Sequence, residues 1–263
     1  MHQRTPAIYD SMPNKKGILS KAAEKLLNGV APSLLKSGSD KVLSQERVSY
    51  LKDSYKGETC YILTCGPSLN EVWSKELEEF LRDKLVIAVK QAFDLLPASC
   101  DFHLYNSVRL KEYSYPGPTI RISVWEYSNL ARSHIHFPLM IDHSWDEAII
   151  RTNRYEDYGY LEKKLERPLG TGIMFEVGLF LPVLLGCRRA VVLGFDMNQA
   201  GKYHFYRPDD SDSTNYARDG ECQFAQESIH YYLDWANRQG LEVKAHSPLS
   251  ALSIPQVEDI YNW

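Results

Sequence analysis

The chain has 263 residues, 44% of them hydrophobic and 24% charged, with a formal net charge of −4. That length accommodates one large α/β domain with an appendage or two small domains, and the composition is that of an ordinary globular protein. The mild acidity gives no bulk signal for a nucleic-acid partner, and the longest apolar run, Ile173 to Cys187, is broken by Glu176 and Pro182 before it could span a bilayer.

The five cysteines form no CxxC pair and are odd in number. They read as reduced thiols of a cytoplasmic protein, with no zinc site. The first ten residues, MHQRTPAIYD, lack the apolar stretch of a signal peptide. Residues 1–56 read as an N-terminal helical extension. Within it, Ile18, Ala22, Leu26 and Leu27 recur at helical spacing, and Lys15, Lys16, Lys21 and Lys25 occupy the other faces. A basic amphipathic segment over residues 15–36 either lies against an anionic membrane surface, as peripheral contact at the cytoplasmic face, or packs on its own domain or a partner. A further helix is expected over Ser44 to Tyr55.

Residues 57–263 carry alternating strand and helix patterns. Thr59–Thr64, Leu85–Val89, Asp101–Tyr105, Thr119–Val124, Ile135–Leu139, Ala190–Leu193 and Leu241–Ala245 are short runs rich in apolar and β-branched residues, as strands buried on both faces are. Helices are expected over Asn70 to Arg82, Ile173 to Leu185 and Glu221 to Gln239. Asp142 to Glu166 is charged and Tyr-rich with little apolar period, and reads as a helical lid insertion over about 142–168. The expected architecture is α/β: a Rossmann-like, mostly parallel sheet flanked by helices.

Ligands of open α/β sheets bind outside the carboxyl ends of the strands. The residues there are the candidates for chemistry. Gly66-Pro67-Ser68 follows the first strand and opens a helix, an arrangement that either binds phosphate or simply starts the helix with Ser68 as its cap. It matches neither GxGxxG nor a P-loop, so neither NAD nor a Walker-type ATP site is indicated. Gly170-Thr171-Gly172 repeats the arrangement, for phosphate or for close packing. Asp196 follows the Ala190–Leu193 strand. By itself it is a cap or a catalytic carboxylate. Glu126 ends another strand, and two acids converging on a cleft can act as base, acid or nucleophile. His204, on the polar loop beyond Asp196, and His230, beside the apolar face of the last helix, are the histidines that could join them. His134, His136, Asp142 and His143 imitate a metal cluster, but their spacing fits no ligand pattern, so no metal site is assigned.

The ordered motifs CGPSLNEV, LYNS, LGTGIMFEVGLFLPVLLGCRRAVVLGFDMNQAGKYHF and LEVKAHSPLSAL resemble the bacterial sialyltransferase superfamily over roughly Thr59 to Leu252. Related groups are the motility-associated transferases, the MptE-like pterin diphosphokinases and the retaining β-Kdo transferases. The resemblance implies a glycosyltransferase that moves an acidic 2-keto sugar, Kdo or a nonulosonic acid, from CMP to a glycan or glycolipid acceptor. The activated sugar is then a donor substrate, and no separate cofactor is implied.

On that resemblance Gly66, Pro67 and Ser68 border the CMP moiety, Asn106 contacts nucleotide or sugar, and Thr171 and Gly172 face the phosphate. Asp196 stands where the β-Kdo enzymes place a carboxylate nucleophile, with Glu126 as the second acid. Asn198 and Lys202, on the loop after Asp196, are candidate substrate contacts. So are Lys90 and Gln91, which replace the Asn-Gln pair of the sialyltransferases. No equivalent of their catalytic histidine is evident near Glu221, where Gln223 falls, so His204 or His230 replaces it or the mechanism differs. The paired acids favour a retaining reaction through an Asp-linked intermediate. The alternative is a 6-hydroxymethylpterin diphosphokinase that uses ATP and Mg²⁺.

Overall fold

The computed structural model describes residues 47–105, 113–124, 133–137, 173–197, 204–205 and 219–263. Seven parallel strands form one sheet: β1 Thr59–Leu63, β2 Leu85–Val89, β3 Phe102–Tyr105, β4 Ile120–Val124, β5 Ile135–Phe137, β6 Arg189–Leu193 and β7 Glu242–His246. Their spatial order is β5-β4-β3-β2-β1-β6-β7. The expected strands are all present, with ends moved by one or two residues. The core strands are buried on both faces, as their uninterrupted apolar sequences require.

Two apolar layers cover the sheet. On one face α1 Ser68–Val72 and α2 Lys75–Leu81 contribute Leu69, Leu77 and Leu81, which pack with Leu63, Val86 and Val191. On the other, α4 Asp219–Arg238 contributes Ala225, Ile229, Tyr232, Trp235 and Ala236, which pack with Ile62, Ile87 and Val192. Val48, Leu51 and Tyr55 join this second layer, so residues 47–56 of the N-terminal segment pack on the sheet. Residues 47–49 are helical and residues 50–57 form turns, so the helix expected over Ser44 to Tyr55 ends before Tyr55.

Two expected helices are broken for identifiable reasons. The run from Asn70 to Arg82 is split because Trp73 and Ser74 are extended, and Ser74 Oγ accepts the Leu77 N–H at 3.1 Å as the cap of α2. The run from Ile173 to Leu185 opens as a π-helix, Met174–Gly178, and resumes as α3 Leu181–Leu184 with Pro182 in its first turn, where a missing N–H costs least. Tyr232 Oη donates to the Leu179 carbonyl between them at 2.6 Å. A 3₁₀ helix, Lys90–Leu95, follows β2 directly and was not expected. No helix among the described residues is long and apolar enough to cross a membrane. The amphipathic segment 15–36 and the lid at about 142–168 lie outside the described residues.

Candidate functional site

The strand order fixes where a crevice must open. The chain steps outward from β1 to β5 on one side, then returns to place β6 on the other side of β1. The helices after β1 cover one face, whereas α4, after β6, covers the other. Connections therefore diverge between the carboxyl ends of β1 and β6, the switch point at which such sheets bind ligands.

Asp196 lies at this point, buried with 3% of its surface exposed. Its Oδ2 accepts the backbone N–H of Ser68, the first residue of α1, at 2.7 Å, and its Oδ1 accepts the Ser68 hydroxyl. Asp196 is thus a cap in space, but of the helix after β1 rather than of the element that follows it in sequence. Ser68 spends its hydroxyl on Asp196, and α1 has no side-chain cap of its own. Burial raises the Asp196 pKa above the ordinary carboxylate value, and the two bonds from Ser68 pull it back down.

The backbone around this pair is tightly fitted. The Gly66 N–H donates to the Gly194 carbonyl at 2.7 Å. A Cβ on Gly66 would lie 2.2 Å from that oxygen and 2.5 Å from Asp196 Oδ2, so only glycine fits there. Gly194 has φ +70° and Met197 φ +45°, so left-handed residues stand on both sides of Phe195-Asp196. For Met197 that conformation is uncommon and costly, and such residues gather at functional sites. The tail of β7 closes the assembly. Ser247 Oγ accepts the Phe195 N–H at 3.1 Å and donates to the Val192 carbonyl, Ser250 Oγ donates to the Phe195 carbonyl, and the Ala251 N–H donates to the Asp196 carbonyl at 2.7 Å.

Other predicted residues surround the same turn. Phe205 N–H donates to the Cys65 carbonyl and Asn70 Nδ2 donates to the Phe205 carbonyl, both at 3.0 Å, which lays the end of the polar loop, with half-buried His204, on the turn. On the far side, Lys90 and Gln91 follow β2. The Cys65 thiol donates to the Val89 carbonyl at 3.2 Å and lies 3.9 Å from Gln91 Oε1. Burial pushes that thiol up to about 11. Gly66, Pro67, Ser68, Asp196, His204, Lys90 and Gln91 thus share one edge of the sheet.

His230 does not join them through any described contact. It is exposed on α4, its ring 4.0 Å from that of Tyr231. Glu126, Asn106, Thr171, Gly172, Asn198 and Lys202 lie outside the described residues. Among the described residues no group of His, Cys, Asp and Glu could hold a metal ion. His134 is bound to Arg121: its Nδ1 accepts the Arg121 N–H at 2.9 Å, and burial with the neighbouring arginines lowers its pKa to about 4.

The sequence reading missed three residues that shape the site: His103, Tyr115 and Ser247. His103 is fully buried in β3. Its Nε2 lies 3.0 Å from the Lys90 carbonyl and its Nδ1 2.8 Å from Tyr115 Oη. A carbonyl only accepts, so Nε2 carries the proton and the tyrosine donates to Nδ1. Burial lowers the His103 pKa to about 3, which keeps the ring neutral. A histidine in the run FHLY, otherwise patterned for burial on both faces, was the available signal.

No family model matches the chain, and no curated protein matches it. Among solved structures it is similar to a mammalian sialyltransferase in complex with Gal-β-1-3GalNAc-ortho-nitrophenol (TM-score 0.41, 11% identity, 92% of this chain and 95% of that chain). A second crystal structure of a mammalian sialyltransferase gives a TM-score of 0.39 at 11% identity over the same shares. The MAf glycosyltransferase from Magnetospirillum magneticum AMB-1 gives 0.39 at 12% identity, with 87% of this chain matched to 41% of that one. Likeness at this level carries no argument about activity.

Proposed function

We propose that the chain is a sialyltransferase-like glycosyltransferase that takes an acidic 2-keto sugar from a CMP donor and passes it to a glycan hydroxyl. One observation carries the reading: the motif residues Gly66, Pro67, Ser68 and Asp196 meet in one closely fitted cluster at the switch point of the sheet. The ordered motif resemblance supplies the substrate class. CMP would lie along the strand ends. Asp196 attacks the anomeric carbon, and the C–O bond to CMP breaks with its electron pair leaving on the phosphate. The acceptor oxygen then displaces Asp196 and gives up its proton to Glu126.

Ser68 bears directly on that role. Its hydrogen bonds favour the ionised carboxylate that attack requires, and they fix the direction in which it points. They also engage both carboxylate oxygens, so attack uses a remaining lone pair of one of them.

Asp196→Asn separates nucleophile from buttress. The amide still accepts the Ser68 N–H, and the serine hydroxyl can rotate to accept from the amide, so the fold persists. Transfer should fall by roughly a thousandfold or more, the scale for losing a covalent catalyst. Transfer within tenfold of the parent would leave Asp196 a purely structural cap. Titration with CMP, CTP and ATP, with and without Mg²⁺, tests the substrate class. Metal-independent CMP binding is expected, whereas ATP binding that needs Mg²⁺ would replace this reading with the diphosphokinase.

A further inference from the structure

Lys90 follows β2 at the edge where Gly66 and Asp196 stand. From the paired residues Leu63 and Ala88, two steps along each chain lead to Cys65 and Lys90. Lys90 has φ +50°, a left-handed conformation that is costly for a residue with a long side chain. Something must hold it there. His103 donates to its carbonyl, Tyr115 donates to His103, and Phe93 stacks on the His103 ring at 4.4 Å. The brace is uncharged, with His103 and Phe93 buried and Tyr115 half-buried, and it is built around one backbone carbonyl.

Among the described residues no anion neutralises the side chain so displayed. Lys90 makes no ion pair or side-chain hydrogen bond among the described residues. It is half-buried, and burial pulls its ammonium below the ordinary lysine range, with the Cys65 thiol the described group that acts in the other direction. A desolvated, unpaired cation costs stability, as groups kept for a ligand do. A second observation specifies the ligand. The Ser68 N–H, where the helix start would bind phosphate, is already taken by Asp196. A phosphate entering this crevice meets a carboxylate rather than a free helix terminus, so it needs a cation beside it.

We propose that Lys90 receives the phosphate of the bound CMP donor, with His103 and Tyr115 as positioning residues that hold its backbone in the left-handed conformation. This deepens the transferase reading and rests on it. The Lys90 charge gives the phosphate a counter-ion in the crevice and stabilises it as the bond-breaking electron pair leaves on it.

The test is calorimetric titration of the full chain with CMP and with cytidine, which differ only in the phosphate. The parent should prefer CMP by roughly tenfold or more, the worth of a charge-assisted contact. Lys90→Met should bring that ratio close to one and leave cytidine affinity unchanged. Its melting temperature should be equal or higher, because the variant removes an uncompensated buried charge. Lys90→Arg should restore most of the preference. Tyr115→Phe should reduce the ratio by a smaller factor, without changing cytidine affinity. A Lys90→Met protein that keeps the full CMP preference, or that loses both ligands equally and melts lower, overturns the assignment. A parent that binds neither ligand rejects the CMP-donor reading itself, and the assignment with it.

Discussion

The Ser68 hydroxyl and the Asp196 carboxylate, 128 positions apart in sequence, form one buried hydrogen-bonded pair, and the Ser68 backbone N–H completes a two-point clamp. The pair joins the start of α1 to the end of β6, across the line where the chain reverses its direction of winding. It also sets the proton affinity of Asp196. Burial raises the pKa and Ser68 lowers it, so removing the hydroxyl must raise it further.

Ser68→Ala is therefore expected to shift the acid limb of the transfer rate toward higher pH, because Asp196 must be ionised to attack. The sign for stability follows from the same shift. A carboxyl whose folded pKa lies above its unfolded value favours the folded state while protonated, and that advantage is lost as pH rises through the folded pKa. Ser68→Ala should then cost about 1–3 kcal/mol at neutral pH, and less in acid. Rate profiles and thermal melts across pH measure both. An unmoved acid limb would show that the Asp196 charge does not govern the rate.

Gly66→Ala tests the fit of the turn. The new Cβ would lie 2.2 Å from the Gly194 carbonyl oxygen and 2.5 Å from Asp196 Oδ2. The first obstacle is backbone of β6's own turn, not a flexible side chain, so α1 and the β6 turn must separate. Overpacking of this kind costs about 1–3 kcal/mol, and the shift should weaken CMP binding as well. Gly57→Ala is the control for stability: that glycine, unlike Gly66, has a positive φ, +82°, but nothing lies within 4 Å of the added carbon. It should pay only the local backbone cost and leave CMP binding as in the parent.

Most of this fold was legible because the sheet is buried on both faces. Val86, Ile87, Val191 and Val192 announce themselves as apolar runs, and the alternation with helices then implies parallel pairing. The helix breaks were not legible, because Trp73-Ser74 carries no glycine or proline and the capping role of Ser74 depends on where α2 must dock. The site was half legible. Gly66, Ser68 and Asp196 could each be singled out by local context, but their contact is a consequence of strand order, which no local pattern reports. Lys90 was visible only through the resemblance, and His103 only as a histidine within an apolar strand, since its role is defined by partners brought from the turn after β2 and from the segment before β4.

His103 should make the protein acid-sensitive. Its folded pKa of about 3 lies below the ordinary value of 6.5. The unfolded chain binds a proton as pH falls below that ordinary value, while the folded chain resists until about 3. Stability from this residue is thus complete above pH 7 and declines across the interval below. At pH 4.5 the loss is about 2–3 kcal/mol. His134, with a folded pKa of about 4, acts with the same sign. Denaturant unfolding at pH 7 and 4.5 should show the decline, and His103→Gln should flatten it while lowering stability at pH 7. An equally steep decline in the variant would assign the acid sensitivity to other groups.

Ser247 is the joint through which the last strand holds the Asp196 turn. Its hydroxyl accepts the Phe195 N–H and donates to the Val192 carbonyl, and it is wholly buried. Ser247→Ala leaves that N–H without its acceptor in a dry setting, which costs about 1–3 kcal/mol and so a few degrees of melting temperature for a chain of this size. The Ala251 N–H still holds the Asp196 carbonyl, so the turn should persist but sample more positions. The expected signature is a reduced transfer rate at saturating donor, with donor affinity little altered. Ser250→Ala removes a parallel bond to the Phe195 carbonyl, from a part-buried position where water can substitute, and should have the smaller effect on both stability and rate. A reversed order of the two variants would place the restraint on Asp196 in the segment after Ser247 rather than at Ser247 itself.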